Sequence, residues 1–184
     1  FLALWRVYDD KDSKYSAFAP KKSFNNVKKD GLTVPYSTSP FEKEYVGENI
    51  YLNIINGAKK YVYMYTPYLI LDDAMMTALE LAAKRGVDVR IIVPNDPDYK
   101  IIFDVTCSYF ERLIQNGVKI YRYLPGFIHS KVFISDDTVA TVGSINMDYR
   151  SLYHHFECGV YLYNVSTLPD IKKDLLEAAE KSHP

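Results

Sequence analysis

The chain's 184 residues are 48% hydrophobic and 24% charged, a balance that gives a globular domain one sizeable core and excludes a disordered or collagen-like chain. Lys+Arg 22 against Asp+Glu 23 leaves a net charge of -1, whereas proteins that coat nucleic acid carry a strongly basic face, so no nucleic-acid partner is expected. Cys107 and Cys158 form no paired motif, which predicts two buried free thiols in a reducing compartment, and no apolar run reaches the ~20 residues of a membrane span.

The chain starts at Phe1 and stops at Pro184, just past its last predicted helix, and reads as a piece of a longer protein. Residues 1–31 hold charged runs such as Asp9-Asp10-Lys11-Asp12 and Lys28-Lys29-Asp30 with little apolar periodicity, as in a linker or mobile loop. Residues 32–184 are expected to form one catalytic domain. A short strand is predicted at Thr33–Ser37, then a helix over Glu42–Ala58 with apolar positions at Val46, Ile50, Ile54 and Ile55. Tyr61–Thr66 is a strand closed by Pro67. Asp72 or Asp73 caps a helix whose apolar stripe runs through Met76, Leu79 and Ala83 to a stop at Gly86. Val87–Val93 is a strand, Pro97–Gln115 a helix and Val118–Tyr123 a strand. His129–Ser135 and Val139–Gly143 are strands joined at Asp136-Asp137, a hairpin signal, followed by a strand at Phe156–Tyr163 and a helix at Leu168–Ala179. Strands separated by helices, then a β-rich stretch, predict an α/β domain with a mixed β-sheet flanked by helices.

Chemistry concentrates in the segment His129-Ser130-Lys131. Residues two apart on a strand share a face, so an imidazole and a fixed cation project together, a combination suited to a phosphate. Asp136 lies seven residues beyond His129, an odd spacing that turns it away and predicts a structural role at the turn. If the two strands pair as a hairpin, Ser144 and Asn146 return beside His129 and Lys131 and offer donors to phosphate oxygens. Glu157 sits among Phe156, Val160 and Leu162, where a carboxylate needs a partner. One ring nitrogen of His129 is the natural choice, with Arg150 or Arg122 as the structural alternative. His154 and His155, adjacent on a strand, would face opposite sides and have surface roles; no metal or cofactor is called for. Tyr65 and Tyr68 line either a lipid groove or the core.

His129-x-Lys131-x-x-x-x-Asp136 followed by Gly143-Ser144-x-Asn146 resembles the HKD signature of the phospholipase D superfamily. Tyr65–Asp72, Gly86–Ile91 and Asn146–Ser151 together look like the C-terminal half of bacterial cardiolipin synthases. That resemblance implies a phospholipase D-like half-domain and names His129, Lys131, Asp136 and Glu157 as catalytic residues, with Lys131, Ser144 and Asn146 holding phosphate. It also implies a two-step phosphatidyl transfer on phosphatidylglycerol through a phosphohistidine, at a site completed by an N-terminal half with its own motif or by a second copy. The setting it implies is the cytoplasmic side of a bacterial membrane. A hydrolase or single-motif nuclease of the same superfamily, and a non-catalytic interaction module, are the other readings.

Overall fold

A computed structural model describes residues 30–184, so the linker expected over residues 1–31 falls outside the described residues except for Asp30 and Gly31. The elements, in chain order, are β1 (Leu32–Thr38), α1 (Val46–Gly57), β2 (Tyr61–Tyr65), α2 (Asp73–Lys84), β3 (Asp88–Pro94), α3 (Lys100–Ser108), α4 (Phe110–Gln115), β4 (Lys119–Tyr123), β5 (Val132–Ser135), β6 (Val139–Gly143), β7 (Glu157–Tyr163), α5 (Leu168–Glu180) and β8 (Ser182–His183). They build one mixed sheet in the order β1-β7-β6-β5-β2-β3-β4-β8. Strands β2, β3 and β4 run parallel, as crossover helices require, and the β5–β6–β7–β1 side is antiparallel. The α/β class with a helix-flanked mixed sheet is therefore as expected.

Alternation on β2 shows how the sequence divides the two faces. Val62 and Met64 point to a core shared with Tyr51, Ile55, Met75, Leu79 and Leu113 of α1, α2 and α4. Tyr61, Tyr63 and Tyr65 point to the opposite core under α5, with Leu175 and Ala178. Each tyrosine buries its ring and carries its hydroxyl to a carboxylate at the rim: Tyr61 donates to Asp137, Tyr63 to Asp88 and Tyr65 to Asp174. The tyrosine-rich composition is in part this packing pattern. α2 begins at an N-cap, Asp72, whose Oδ1 accepts the Met75 N–H at 2.7 Å.

The structure changes several expected boundaries. α1 starts at Val46, because residues 40–44 form turns and bends instead of a first helical turn. The single helix expected over Pro97–Gln115 is two, α3 and α4, parted at Tyr109, whose N–H closes back on Thr106 O at 3.2 Å. The buried Thr106 hydroxyl meanwhile accepts the Leu69 N–H, tying this point of the helix to the loop after β2. β5 begins at Val132, so His129, Ser130 and Lys131 precede the ladder. A five-residue π-helical turn, Arg150–His154, and the short β8 were not expected. Cys158 is exposed and Cys107 half-buried, so neither is the buried thiol the composition suggested. Among the described residues no helix is long and apolar enough to cross a membrane.

Candidate active site

Because β5 and β7 run opposite to β2 and β6, five strands bring their site-bearing ends to one edge of the sheet. β2, β3 and β6 end there at Tyr65, Pro94 and Gly143; β5 and β7 begin there at Val132 and Glu157. Loops beyond the carboxyl ends of parallel strands are where open α/β sheets place chemistry. The connections at this edge are stitched together. The Thr66 hydroxyl accepts the Met147 N–H at 3.1 Å and donates to Tyr68 O at 2.6 Å, and the Ile70 N–H reaches Met147 O at 2.8 Å. From below, Tyr51 stacks on Phe133 at 4.0 Å and donates its hydroxyl to Ile145 O at 2.6 Å. The segment bearing Asn146 and the segment bearing Tyr68 are thus held as a unit.

Between them lies a pocket of about 450 Å³. Its apolar lining is Ile70, Ile102, Tyr68, Tyr99 and Tyr149; its polar lining is Asn146, Asp148, Arg150, Ser151, His155 and Glu157. Such a mixed cavity suits a ligand that is itself part ionic and part greasy.

Lys131 is 7% exposed, and its Nζ donates to the His129 carbonyl at 2.6 Å. Burial pulls the ammonium below the usual lysine value, while the carboxylates of Glu157 and Asp148 hold its charge up. His129 lies on the loop surface, stacked on Phe127 with centroids 5.6 Å apart and met edge-on by Tyr68 at 6.5 Å. Partial burial, then the neighbouring Lys131 charge, lower its pKa, and Asp98 opposes both. An imidazole held neutral near pH 7 can accept a proton or attack phosphorus.

Three expected placements are corrected. Glu157 does not partner His129: its Oε1 accepts from the Ser151 hydroxyl at 3.1 Å and stands 3.5 Å from His155 Nδ1. The reason is the π-helical turn, which folds residues 150–155 back over the start of β7, while His129 sits outside the ladder against Phe127 and Tyr68. Arg150 and Arg122 are not its hydrogen-bonded partners either. Ser144 is not among the residues lining the pocket; its hydroxyl accepts the Cys158 N–H at 3.0 Å and donates to Cys158 O at 3.2 Å, stitching β6 to β7. Asp136, the last residue of the motif, is at the far end of β5. Five extended steps separate it from Lys131, about 16 Å, and its carboxylate accepts the N–H groups of Lys59, Lys60 and Tyr61 at 2.7, 2.9 and 2.9 Å. The turn role inferred from parity is the one the geometry gives it.

Asn146 does line the pocket, and its buried Oδ1 has no hydrogen-bond partner among the described residues, an acceptor left for a ligand hydroxyl. His154 and His155 are both exposed, as expected, and His155 also reaches the pocket rim, 3.5 Å from Glu157. The pair Tyr65 and Tyr68 divides: Tyr65 is core, with its hydroxyl on Asp174 O at 2.9 Å, and Tyr68 is pocket wall. Asp148, Ser151 and Tyr99 had no individual signal in the sequence; Asp148 and Ser151 fell within the Asn146–Ser151 stretch, where Asp148 Oδ1 caps the Ser151 N–H at 2.8 Å. Among the described residues no three His, Cys, Asp or Glu side chains group as metal ligands do.

The family described as "Cardiolipin synthase, PLD-like domain" matches residues 51–179. An uncharacterized protein of Streptococcus mutans is 50% identical over 182 residues, covering 99% of this chain and 39% of that protein. The cardiolipin synthase of Alkalihalophilus pseudofirmus is 39% identical over 161 residues, 88% of this chain and 32% of that enzyme. The chain thus spans about a third of the length of the curated relatives it matches. In fold, it resembles the crystal structure of Nuc, a phospholipase D family member from Salmonella typhimurium, with a TM-score of 0.70 at 19% identity, covering 83% of this chain and 96% of that one.

Proposed function

Since the chain belongs to the phospholipase D-like domain family of cardiolipin synthases, we propose that it is one catalytic half of a phosphatidyltransferase that joins two phosphatidylglycerol molecules into cardiolipin and glycerol. The observation that carries this reading is the pocket's surroundings: a buried lysine supported by the carboxylates of Glu157 and Asp148, and a surface histidine against Tyr68, adjoin a cavity that the lysine and histidine do not themselves line and whose lining is part polar and part apolar. A phosphodiester with acyl chains presents that same division.

Lys131 supplies the fixed positive charge at the phosphate, and the Asn146 amide reaches the substrate from the polar wall. The acceptor's glycerol hydroxyl meets the partnerless Asn146 Oδ1. His129 acts as acid and base, opposite a histidine from a second half. That second histidine attacks phosphorus; the P–O bond to the departing glycerol breaks, and His129 protonates the glycerol oxygen. The acceptor hydroxyl then gives its proton to His129, its oxygen attacks phosphorus, and the P–N bond breaks to release cardiolipin. Splitting one displacement in two makes each step easier. An anionic phosphodiester beside the ring raises the imidazole's proton affinity, against the lowering that partial burial and Lys131 impose.

Charge supports a second half. Around the pocket Lys131 and Arg150 are balanced by Asp148 and Glu157, leaving little net attraction for an anion. A second lysine and histidine, from an N-terminal half or another copy, make the joint site cationic. Membrane association follows from a phospholipid substrate, and the cytoplasmic face is part of the proposal.

The test is the full-length enzyme incubated with phosphatidylglycerol. Cardiolipin with released glycerol is expected, and phosphatidic acid as the main product would replace the transferase reading by a hydrolase. His129→Ala should abolish product; near-normal turnover would remove His129 from the mechanism.

A further inference from the structure

The lining of the large pocket comes mainly from two segments. Tyr68 and Ile70 belong to the β2–α2 connection, whereas Asp148, Arg150, Ser151 and His155 belong to the β6–β7 connection. At one end the segments are tied through Met147, whose N–H reaches the Thr66 hydroxyl and whose carbonyl accepts the Ile70 N–H. Beyond Met147 the second segment winds into the π-helical turn, a rare geometry that recurs at functional sites. The Leu152 N–H closes on Asp148 O at 3.0 Å and the Ser151 N–H on Asp148 Oδ1 at 2.8 Å, bonds that shape the turn from within. Leu152 packs into the core, and the Tyr153 hydroxyl crosses to the end of the β2–α2 connection, where it donates to Asp72 Oδ2. We infer that Tyr153 and Asp72 are positioning residues: their bond is a clasp that sets the spacing of the two pocket linings and holds the turn against the headgroup of a bound glycerophospholipid.

The far side of the clasp is itself fixed. Asp72 caps α2 through its other oxygen, which accepts the Met75 N–H at 2.7 Å, so the carboxylate that receives the tyrosine is anchored to a helix start. Two rings hold Tyr153 in place: Tyr45, just before α1, meets it edge-on with centroids 4.7 Å apart, and Tyr149 lies 5.6 Å away. Burial and then the bond to Asp72 push the hydroxyl far above the usual tyrosine value, so it donates throughout the working range. Neither Tyr153 nor Asp72 is among the residues lining the cavity, so both act on a ligand only through the segments they join. A headgroup that bridges the two linings gains or loses affinity with the clasp, while His129 and Lys131 lie on a third segment, before β5, that the clasp does not touch.

The role rests on the pocket receiving the lipid substrate proposed above, and one of its two readouts needs no turnover. In the full-length enzyme, Tyr153→Phe keeps the ring and removes the donor. Asp72→Ser keeps a good N-cap for α2 and withdraws the oxygen that reaches Tyr153. Losing one hydrogen bond should speed hydrogen exchange in residues 149–156 about three- to tenfold in each variant, with β2 and β3 unchanged as the fold control. KM for phosphatidylglycerol should rise about three- to tenfold, with kcat within about twofold of wild type. The double variant should add little to either single one, because both remove the same bond. Asp72→Asn, which keeps the cap and an amide within reach of Tyr153, should stay close to wild type. The inference is overturned if Tyr153→Phe leaves KM unchanged, if kcat falls instead of KM rising, or if exchange rises equally in β2 and β3. Should Asp72→Ser fail to fold, Tyr153→Phe alone decides. An enzyme that hydrolyses phosphatidylglycerol instead of joining it would remove the transferase reading and leave the clasp standing.

Discussion

Replacing Asp136 separates structure from chemistry within a motif that treats them alike. Its carboxylate closes the start of β2 by accepting three consecutive N–H groups, and its own backbone is left-handed, with φ at 54°. Two of those N–H groups, on Lys59 and Lys60, are exposed and water can replace the carboxylate there; the Tyr61 N–H is partly buried and pays more for losing it. After that discount for solvent, Asp136→Asn should cost about 1 kcal/mol, since the amide oxygen still accepts and Asn tolerates the left-handed region. Asp136→Ala loses every acceptor and adds the steric cost of alanine at positive φ, for a total of about 2–3 kcal/mol. Urea unfolding of both variants measures this. The pH dependence has a defined sign. The three N–H bonds hold the carboxyl below its ordinary value against the opposing effect of burial. Its stabilisation is therefore full above about pH 4 and fades as pH falls through the lower, folded-state value. The gap between wild type and Asp136→Ala should narrow in acid. An Asp136→Ala enzyme as stable as wild type but inactive would refute the reasoning and put the carboxylate into the chemistry.

Other substitutions probe the site's supports. Gly143→Ala would set a Cβ 2.5 Å from Cys158 O and 2.8 Å from Gly159 Cα, so it should push β6 from β7 and destabilise by about 1–3 kcal/mol in urea; a change under about 0.5 kcal/mol would mean the strands yield freely. Tyr51→Phe strands the Ile145 carbonyl and should cost about 1–2 kcal/mol, measured by thermal unfolding, with a raised KM because Asn146 follows Ile145. Lys131→Met in the full-length enzyme should cut kcat/KM at least ~100-fold, yet leave the urea midpoint unchanged or higher, since a buried ammonium is expensive to hold; a stability loss matching the activity loss would make Lys131 structural. With Lys131 as the phosphate's cation, EDTA should leave turnover unaltered, and loss restored by a divalent ion would contradict the scheme.

What could be foreseen from the sequence was whatever depends on neighbours in the chain. The β5–β6 hairpin was visible in Asp136-Asp137, both of which adopt positive φ, at 54° and 55°, because a two-residue turn is a local problem with a local solution. Asp136 does sit at the turn, but the length of β5 keeps it from the site rather than parity, since His129 precedes the strand. The paired strands β6 and β7 also brought Asn146 and Glu157 to one edge, as their order implied. The break between α3 and α4 was hidden, because it coincides with a tertiary bond from Leu69 to Thr106, 37 residues away.

The partner of Glu157 was hidden for a more general reason. Burial argued correctly that a carboxylate in β7 needs company, but burial is indifferent to which donor supplies it. Ten residues separate Asn146 from Glu157, enough chain to curl into a π-helical turn and deliver Ser151 and His155 to the carboxylate before His129 can reach it. His129, displaced to the loop surface, stacks on Phe127 of its own segment and is met by Tyr68 from the loop after β2. A motif read along the chain names candidate groups, and the charges around them come partly from other segments: Glu157 and Asp148 hold up the charge of Lys131 against its burial.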